Sequence, residues 1–289
     1  PVTPGGAGGD RFLLVANHEY VNSELMFPGY DAKAGSTPEQ CAIEMAAMGG
    51  LGVVVELDKV PIATAGFDRS NSDVDDNARQ WVTVISSVKK NGKAIGGLGA
   101  YELVWHTDMS YNPLPPRASL LYALEVPADG GNTGFLNMYE AYETLPDALK
   151  QAIEGKTCIH DSSRNSAGEL RQGFQRTTDV TRTPGAVHPL VRLHPLSNRK
   201  ALFLGRRPGA YIHGLSIEES EKLLNAVWAH ATQERFAWYQ KWRIGDLVMW
   251  DNRCAMHRRD AFDPESRRLM HRTQIKGDKP FFDPATLAA

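Results

Sequence analysis

Short alternating apolar runs in the last quarter of the chain constrain the fold most strongly. Phe236, Trp238 and Trp242 lie at even spacings, and residues 247–250 (LVMW) and 267–275 (RRLMHRTQI) continue the pattern. Because a strand presents successive side chains to opposite faces, this spacing indicates strands rather than helices. We therefore expect this part of the chain to be built from strands.

The earlier segments add further strands, with helices before or between them. This order favours a mainly β (α+β) fold with a double-stranded β-helix (jelly-roll) core and flanking helices over a doubly wound sheet. The predicted strands are 51–57, 81–87, 118–126, 188–193 and 201–204; the predicted helices are 38–48, 138–153 with a break at Pro146, and one from the capping box of Ser216 and Glu219 to about residue 232.

Length and composition favour a single globular domain over residues 1–289. The chain is 42% hydrophobic and 23% charged, and no linker-like composition divides it. Residues 64–80 are polar and read as a loop. Residues 162–186 lack any periodic apolar pattern, and a loop of that length inside a compact domain is usually functional. We interpret this second segment as an active-site lid.

Charge and cysteine content exclude several classes of protein. The net charge of −2 gives no basic stripe, so nucleic acid is not an expected partner. No apolar run is long enough to cross a bilayer, and residues 1–10 lack the features of a signal peptide. Cys41, Cys158 and Cys254 are odd in number and widely spaced, which fits a reducing compartment. A soluble cytoplasmic protein follows, and a homo-oligomer is compatible with the sequence.

Three residues could form a metal site. In an extended segment the side chains of His106 and Asp108 lie on one face and can reach a common point. His257 is the best third ligand, because it follows the strand at 247–250 and precedes another. Two histidines and one carboxylate leave metal positions open, an arrangement diagnostic of Fe(II) oxygenases.

Two arginines indicate an anion-binding interior. Arg268 and Arg272 share one face of the alternating segment 267–275 with Met270. Buried guanidinium groups are costly unless anions meet them, and their planar fork suits carboxylates. A dicarboxylate co-substrate would satisfy one of the two.

Four segments resemble the taurine/2,4-dichlorophenoxyacetate dioxygenase family of Fe(II)/2-oxoglutarate enzymes. They are WHTDMSY, PADGGNT, GDLVMWDNRCAMHR and RRLMHRTQIKGD, and the similarity spans about Val88 to Phe282. Residues 1–80 lack the opening expected of this family. The resemblance implies that His106, Asp108 and His257 bind iron, that Arg268 and Thr133 bind the distal carboxylate of 2-oxoglutarate, and that Arg272 lies near the substrate's carboxylate or sulfonate.

The resemblance also implies an activity. Fe(II), 2-oxoglutarate and O2 would hydroxylate a small organic anion, with release of succinate and carbon dioxide. Asp108 favours hydroxylation over chlorination, because related halogenating enzymes have a small residue at that position. Desaturation, cyclisation or epimerisation by the same oxidant remain alternatives. A zinc hydrolase using the same ligands, or a ligand-binding barrel without turnover, are rivals from other classes.

Several residues also have purely structural interpretations. Arg272 has Asp260 or Asp278 as alternative partners. His188 and His194, each followed by proline, are interpreted as turn-flanking structural residues. His271 is interpreted as a structural histidine, and Trp105 and Trp250 as packing residues of the site wall. The glycines at 96, 97 and 99 are interpreted as a turn rather than a dinucleotide fingerprint.

Overall fold

The structure is a computed structural model that describes residues 11–15, 83–98, 104–165 and 168–283, with 11–15 and 98 as backbone only. The predicted helix at 38–48, the strand at 51–57, the loop at 64–80 and Cys41 lie outside these residues. Within them, no helix is long and apolar enough to cross a membrane.

Strands make up most of the regular structure. In chain order they are Arg11–Val15 (β1), Thr83–Ser86 (β2), Lys89–Lys90 (β3), Lys93–Ala94 (β4), Gly97–Leu98 (β5), Ala118–Glu125 (β6), Thr133–Asn137 (β7), Thr157–Asp161 (β8), Gly185–Pro189 (β9), Val191–Leu193 (β10), Lys200–Leu202 (β11), Tyr211–Ile212 (β12), Ala237–Gln240 (β13), Asp246–Asp251 (β14), Ala255–Arg259 (β15) and Leu269–Ile275 (β16). The α-helices of the described residues are Met138–Glu143 (α1), Asp147–Ile153 (α2) and Ile217–Ala231 (α3). The protein is therefore mainly β with few helices.

The helix boundaries follow the local signals in the sequence. The side chain of Ser216 accepts a hydrogen bond from the Glu219 amide, and Glu219 accepts one from the Ser216 amide, so the predicted capping box starts α3. Pro146 separates α1 from α2, as the sequence indicated. Leu224, Val227 and Trp228 of α3 are buried in a hydrophobic cluster with residues of α1 and β11.

Two sheets enclose the second hydrophobic cluster. The larger sheet has the order β1-β14-β6-β16-β2-β5, and a three-stranded antiparallel sheet has the order β13-β7-β15. Phe135 of β7 packs with Val248 and Trp250 of β14 and with Met270 of β16. Every residue of β7 is buried, because the strand contacts this cluster on one face and the helix-side cluster on the other.

The segment 162–186 contains turns and one short 3-10 helix, Val180–Arg182, before β9 begins at Gly185. Most of its residues that the structure describes are exposed or half-buried. The prediction of a long loop is therefore right except at its last residues. Gly97, predicted to lie in a turn, instead belongs to the short strand β5, which pairs in parallel with β2.

Acidification is expected to destabilise the fold through His160 of β8. Burial lowers the pKa of His160 well below its ordinary value, and the nearby His188 and Arg206 lower it further. Because the unfolded chain takes up a proton near pH 6.5 that the folded chain does not, the free energy of unfolding falls as the pH drops below about 6.5. Urea titrations between about pH 7.5 and 5 should show a shallower fall for His160→Gln, by up to about 1.4 kcal/mol per pH unit. A slope as steep in His160→Gln as in the unaltered protein would contradict the assignment.

Candidate metal centre and anion site

His106, Asp108 and His257 form a buried cluster on the inner side of the β7–β15 sheet. The Nε2 atoms of His106 and His257 lie 3.8 and 3.9 Å from Oδ1 of Asp108, and the imidazole centroids are 4.2 Å apart. The three ligand atoms all lie within 4.8 Å of one another. One ion about 2.1 Å from each atom is within their reach.

Backbone pairing brings the two histidines together. His106 and His257 form an isolated antiparallel bridge, in which each amide donates to the other residue's carbonyl at 3.0 and 2.8 Å. His257 lies within β15, whereas the sequence placed it between two strands. Asp108 is in a turn rather than an extended strand, and Met109 after it adopts a positive φ of 47°. A non-glycine residue in that conformation is uncommon and clusters at functional sites.

Hydrogen bonds orient the ring of His106. Its Nδ1 lies 2.9 Å from the carbonyl oxygen of Val104 and donates to it, which leaves the lone pair of Nε2 directed at the cluster. Burial, the neighbouring His257 and the charge of Arg206 lower the pKa of His106 well below its usual value. Burial lowers the pKa of His257 to about 4. Both imidazoles are therefore neutral at neutral pH, which is the form that binds metals.

Asp108 is held as an anion by its neighbours. Ser119 donates to Oδ2 at 2.7 Å, and Gln274 donates to the Ser119 hydroxyl at 3.1 Å. Nη1 of Arg272 donates to Oδ1 at 3.1 Å. Burial alone would raise the pKa of Asp108, but the charge of Arg272, the two neighbouring histidines and the Ser119 hydrogen bond together hold that pKa below its ordinary range. The carboxylate is thus ionised and fixed in orientation.

The side chain of Asn252 forms hydrogen bonds with the backbone of Asp108 and so clamps it in place. Its side-chain oxygen accepts from the Asp108 amide at 2.9 Å, and its side-chain nitrogen donates to the carbonyls of Asp108 and Pro116, both at 2.9 Å. Asn252 is 1% exposed, so these bonds are shielded from water. The turn that presents Asp108 therefore depends on a residue from the end of β14.

Replacing Asn252 by alanine is expected to lower the free energy of unfolding by about 3 kcal/mol, because three buried hydrogen-bonding groups lose their partner. The metal affinity should fall as well, because Asp108 is no longer fixed. Urea denaturation and metal titration measure the two effects. The exposed Asn225 of α3 gives the control: Asn225→Ala should change stability by less than about 1 kcal/mol. Equal stabilities of the two variants would contradict the clamp.

Arg268 is a buried cation without an anionic partner. It is 2% exposed, and among the described residues its guanidinium makes no hydrogen bond or ion pair. Burial and the like charge of Arg259 lower its pKa to about 9. Gly131 adopts a positive φ of 65° beside it, and a Cβ there would lie 3.4 Å from the side chain of Arg268. An anionic ligand would compensate this charge.

Thr133 lies two residues after Gly131, at the start of β7. Its hydroxyl oxygen accepts from Nε1 of Trp242 at 3.0 Å. The hydroxyl hydrogen thus remains available to an acceptor. No sequence pattern indicates the contribution of Trp242, because a tryptophan in an alternating apolar segment is typical of a packing residue.

Arg272 pairs with a carboxylate that the sequence pattern did not indicate. Of the two carboxylates suggested as structural partners, Asp260 pairs with Arg258 at 3.8 Å, and Asp278 pairs with Arg117 at 3.6 Å. Arg272 instead donates to Asp108. The alternation of the strand was right, because Arg268, Met270 and Arg272 are all buried, whereas the intervening His271 is half-buried.

A second cluster of candidate ligands has a structural explanation. His194, Asp251 and Cys254 lie close together, but Nε2 of His194 donates to Asp251 at 3.0 Å. Its Nδ1 accepts from the amides of Leu196 and Ser197. Both ring nitrogens of His194 are therefore occupied, and Asp251 also accepts from Arg253 at 2.6 Å. His188 lies within β9, whereas His194 directly follows β10, and Nε2 of His188 donates to the Asn112 carbonyl at 3.0 Å instead of facing Asp251.

The two tryptophans beside the proposed ligands contribute to packing. The ring of Trp250 is 1% exposed and lies 4.7 Å from that of His257. Trp105 packs against Tyr239, with the guanidinium of Arg258 4.7 Å from its ring. These contacts agree with the interpretation of both tryptophans as wall residues that exclude water from the cluster.

A β-rich scaffold with two neutral histidines and one ionised carboxylate is typical of mononuclear non-haem iron oxygenases. The donor atoms fit such an ion, and the unpaired Arg268 fits an acidic co-substrate. Residues 51–274 match the family described as taurine catabolism dioxygenase TauD, TfdA family, and the chain belongs to that family. The match begins ahead of Val88, where the recognisable motifs start.

Known proteins agree with this assignment. Alpha-ketoglutarate-dependent 2,4-dichlorophenoxyacetate dioxygenase of Cupriavidus pinatubonensis (strain JMP 134 / LMG 1197) is 37% identical over 201 residues, which cover 67% of this chain and 69% of that protein. The crystal structure of AAD-2 with Mn(II) and N-oxalylglycine is 39% identical, with a TM-score of 0.54 over 62% of this chain and 64% of that one. A taurine dioxygenase from Burkholderia xenovorans is 31% identical, with a TM-score of 0.55 over 72% and 68%. The similarity thus spans about two thirds of each relative's length.

Proposed function

We propose that this chain is an Fe(II)- and 2-oxoglutarate-dependent dioxygenase that hydroxylates a small organic anion, a carboxylate or a sulfonate, and releases succinate and carbon dioxide. The observation that carries the proposal is a three-residue ligand cluster in the same interior as Arg268, a buried cation without an anion among the described residues. The relatives support it, because one is named for 2,4-dichlorophenoxyacetate and another is a taurine dioxygenase.

Each site residue has a distinct role in this proposal. Nε2 of His106, Oδ1 of Asp108 and Nε2 of His257 hold the iron. Arg268 pairs with the distal carboxylate of 2-oxoglutarate, and the Thr133 hydroxyl donates to the same group. When bound, iron and 2-oxoglutarate supply the oxidising chemistry that removes a hydrogen from the substrate. The protein contributes positioning, charge compensation and exclusion of water.

Arg272 contributes through Asp108. Its bond to Oδ1 helps to keep the carboxylate ionised, and Ser119 donates to the other oxygen, Oδ2. The retained carboxylate at this position favours hydroxylation over halogenation. The proposed substrate contact of Arg272 then requires that its guanidinium reaches past Asp108, using donors other than Nη1.

Oxygen-dependent succinate formation tests the function. The purified protein with Fe(II) and 2-oxoglutarate should form succinate under air, faster with a suitable organic anion, and none without oxygen. A hydrolase using zinc would turn over without oxygen or 2-oxoglutarate, and a binding barrel would form no product. Absence of oxygen-dependent succinate across carboxylates, sulfonates and sulfate esters would contradict the proposal.

Product mass separates the outcomes open to the same oxidant. A hydroxylated product is one oxygen atom heavier than the substrate, a desaturated or cyclised product lacks a pair of hydrogens, and an epimer has unchanged mass. We expect the added oxygen.

The finer architecture supports the same enzyme class. We propose that the two sheets around Phe135 form the double-stranded β-helix, within one domain over residues 1–289. We propose residues 162–186 as the lid, because the carbonyl of Arg164 accepts from Arg206 next to the metal cluster. A cytoplasmic location is proposed because Cys158 and Cys254 are buried and form no disulfide within the described residues. The partner is a small molecule rather than nucleic acid or a membrane, with association into homo-oligomers as a further proposal.

A further inference from the structure

Arg206 is placed beside the metal cluster by the backbone. The amide of Thr107, between the two proposed ligands His106 and Asp108, donates to the carbonyl of Gly205 at 3.1 Å. Gly205 adopts a positive φ of 65°, and a Cβ there would lie 2.3 Å from Nδ1 of His160. Only glycine fits this approach. The loop after β11 is therefore fixed against the cluster at the residue that precedes Arg206.

The charge of Arg206 is not compensated within the described residues. Arg206 is 8% exposed and takes part in no ion pair there; its one hydrogen bond runs from Nη1 to the Arg164 carbonyl at 2.6 Å. Burial, together with the like charge of Arg171, lowers its pKa to about 10. A guanidinium has five N–H donors, so most of its hydrogen-bonding capacity is unused. A buried cation in this state gains most from an anionic ligand.

The groups around Arg206 act in both directions: burial and Arg171 lower its pKa, whereas Tyr111, Asp108 and Asp161 raise it. Arg171 stacks over the ring of Tyr111, with its guanidinium carbon 4.1 Å from the ring centroid. Asp161 is already engaged by the amide and hydroxyl of Ser163, at 2.7 and 2.6 Å. The carboxylate of Asp108 is engaged by Arg272 and Ser119. Both carboxylates thus have other hydrogen-bond partners, and neither forms an ion pair with Arg206 within the described residues.

We propose that Arg206 binds the anionic group of the substrate, through the guanidinium donors that the Arg164 carbonyl leaves unused, and that it determines the preference for organic anions. This inference rests on the proposed function. It adds the loop after β11 to anion recognition, beside the substrate contact proposed for Arg272 of β16, which also positions the carboxylate of Asp108. Because Arg206 also donates a hydrogen bond to the carbonyl of residue 164, it would link a bound anion to the backbone of the segment 162–186.

Anion binding to the loaded enzyme tests this assignment. Protein with Fe(II) and 2-oxoglutarate is titrated without oxygen with 2,4-dichlorophenoxyacetate, taurine and hexyl sulfate, which represent a carboxylate, a sulfonate and a sulfate ester. Calorimetry gives each dissociation constant. Arg206→Gln should weaken the anion that binds the unaltered protein by about ten- to hundredfold, the effect of losing a charge-assisted hydrogen bond. Arg206→Lys keeps the positive charge but loses the planar guanidinium, so its dissociation constant should lie between those of the unaltered protein and Arg206→Gln.

The neighbouring Arg207 gives a matched control. It is paired on the surface with Glu221 at 2.6 Å and with Asn225 at 2.7 Å. Arg207→Gln removes the same charge from the same loop and should leave anion binding unchanged. Urea denaturation of Arg206→Gln should show a fold at least as stable as the unaltered protein, because a buried uncompensated charge is removed.

The visible charge-transfer band expected when 2-oxoglutarate binds Fe(II) reports separately on the proposed function. If the band forms and Arg206→Gln binds the anion as tightly as the unaltered protein, the assignment of Arg206 is wrong while the function stands. Loss of anion binding in Arg272→Gln alone would transfer the role to Arg272. If the unaltered protein binds none of the three anions, the assignment is overturned. Absence of the band would overturn the proposed function itself.

Discussion

Replacing His257 by alanine should abolish iron binding and reduce 2-oxoglutarate turnover by about a thousandfold or more. Metal catalysis contributes several kcal/mol to lowering the barrier, and each 1.36 kcal/mol is about tenfold in rate. The fold should persist, because the pairing of His257 with residue 106 uses backbone groups. Metal content measured by plasma emission and succinate formation give the two readouts.

Cys254→Ala provides the control for the His257 variant. Cys254 belongs to the second group of potential ligands, with His194 and Asp251, and is 3% exposed. If the first cluster is the iron site, Cys254→Ala should keep full metal content despite a packing defect. Loss of iron in Cys254→Ala and its retention in His257→Ala would place the metal in the other cluster.

Replacing Arg268 by methionine should have opposite effects on co-substrate binding and on stability. The dissociation constant for 2-oxoglutarate should rise by about ten- to hundredfold, because a charge-assisted bond to a carboxylate is lost. The ligand-free protein should gain about 1–3 kcal/mol in free energy of unfolding, because an uncompensated buried cation is replaced by an apolar side chain. Titration of the charge-transfer band and urea denaturation measure these effects.

The adjacent residue, Arg267, provides a control that distinguishes the effect of losing a buried charge from the effect of losing any positive charge. Arg267 is on the surface and binds Glu125 through two nitrogens, at 2.6 and 2.8 Å. Arg267→Met should leave 2-oxoglutarate affinity unchanged and cost less than about 1 kcal/mol of stability, as exposed ion pairs do. A destabilised Arg268→Met protein with unaltered co-substrate affinity would mean that Arg268 has a structural partner instead of an acidic ligand.

Patterns that depend on local spacing were sufficient to predict much of the fold. The alternation over 267–275 correctly places Arg268 and Arg272 on the buried face, and the capping box correctly starts the helix at Ile217. These features are local because side-chain direction in a strand and amide capping in a helix are set by nearby residues. The metal ligands could be predicted for a related reason. A histidine and an aspartate two residues apart, with a second histidine in a strand-rich region, suggest that the three side chains converge.

Features that depend on distant backbone contacts could not be predicted. Asn252 reads as a turn residue, and only the fold brings its amide to the backbone of Asp108. Arg206 lies in a glycine- and proline-flanked loop without periodicity, so its burial has no sequence signal. The pairing of Arg272 with Asp108 joins residues from two distant segments, whereas the sequence pattern suggests the nearer carboxylates Asp260 and Asp278.

The main-chain bridge between residues 106 and 257 makes the geometry of the site independent of the side chains that bind the metal. Peptide groups hold the two segments in register whichever side chains they carry. A descendant of this chain that lost both imidazoles would therefore keep its arginine-lined interior and could serve as a receptor for the same acids. Within such a lineage, enzyme and sensor would differ by a few substitutions on an unchanged frame.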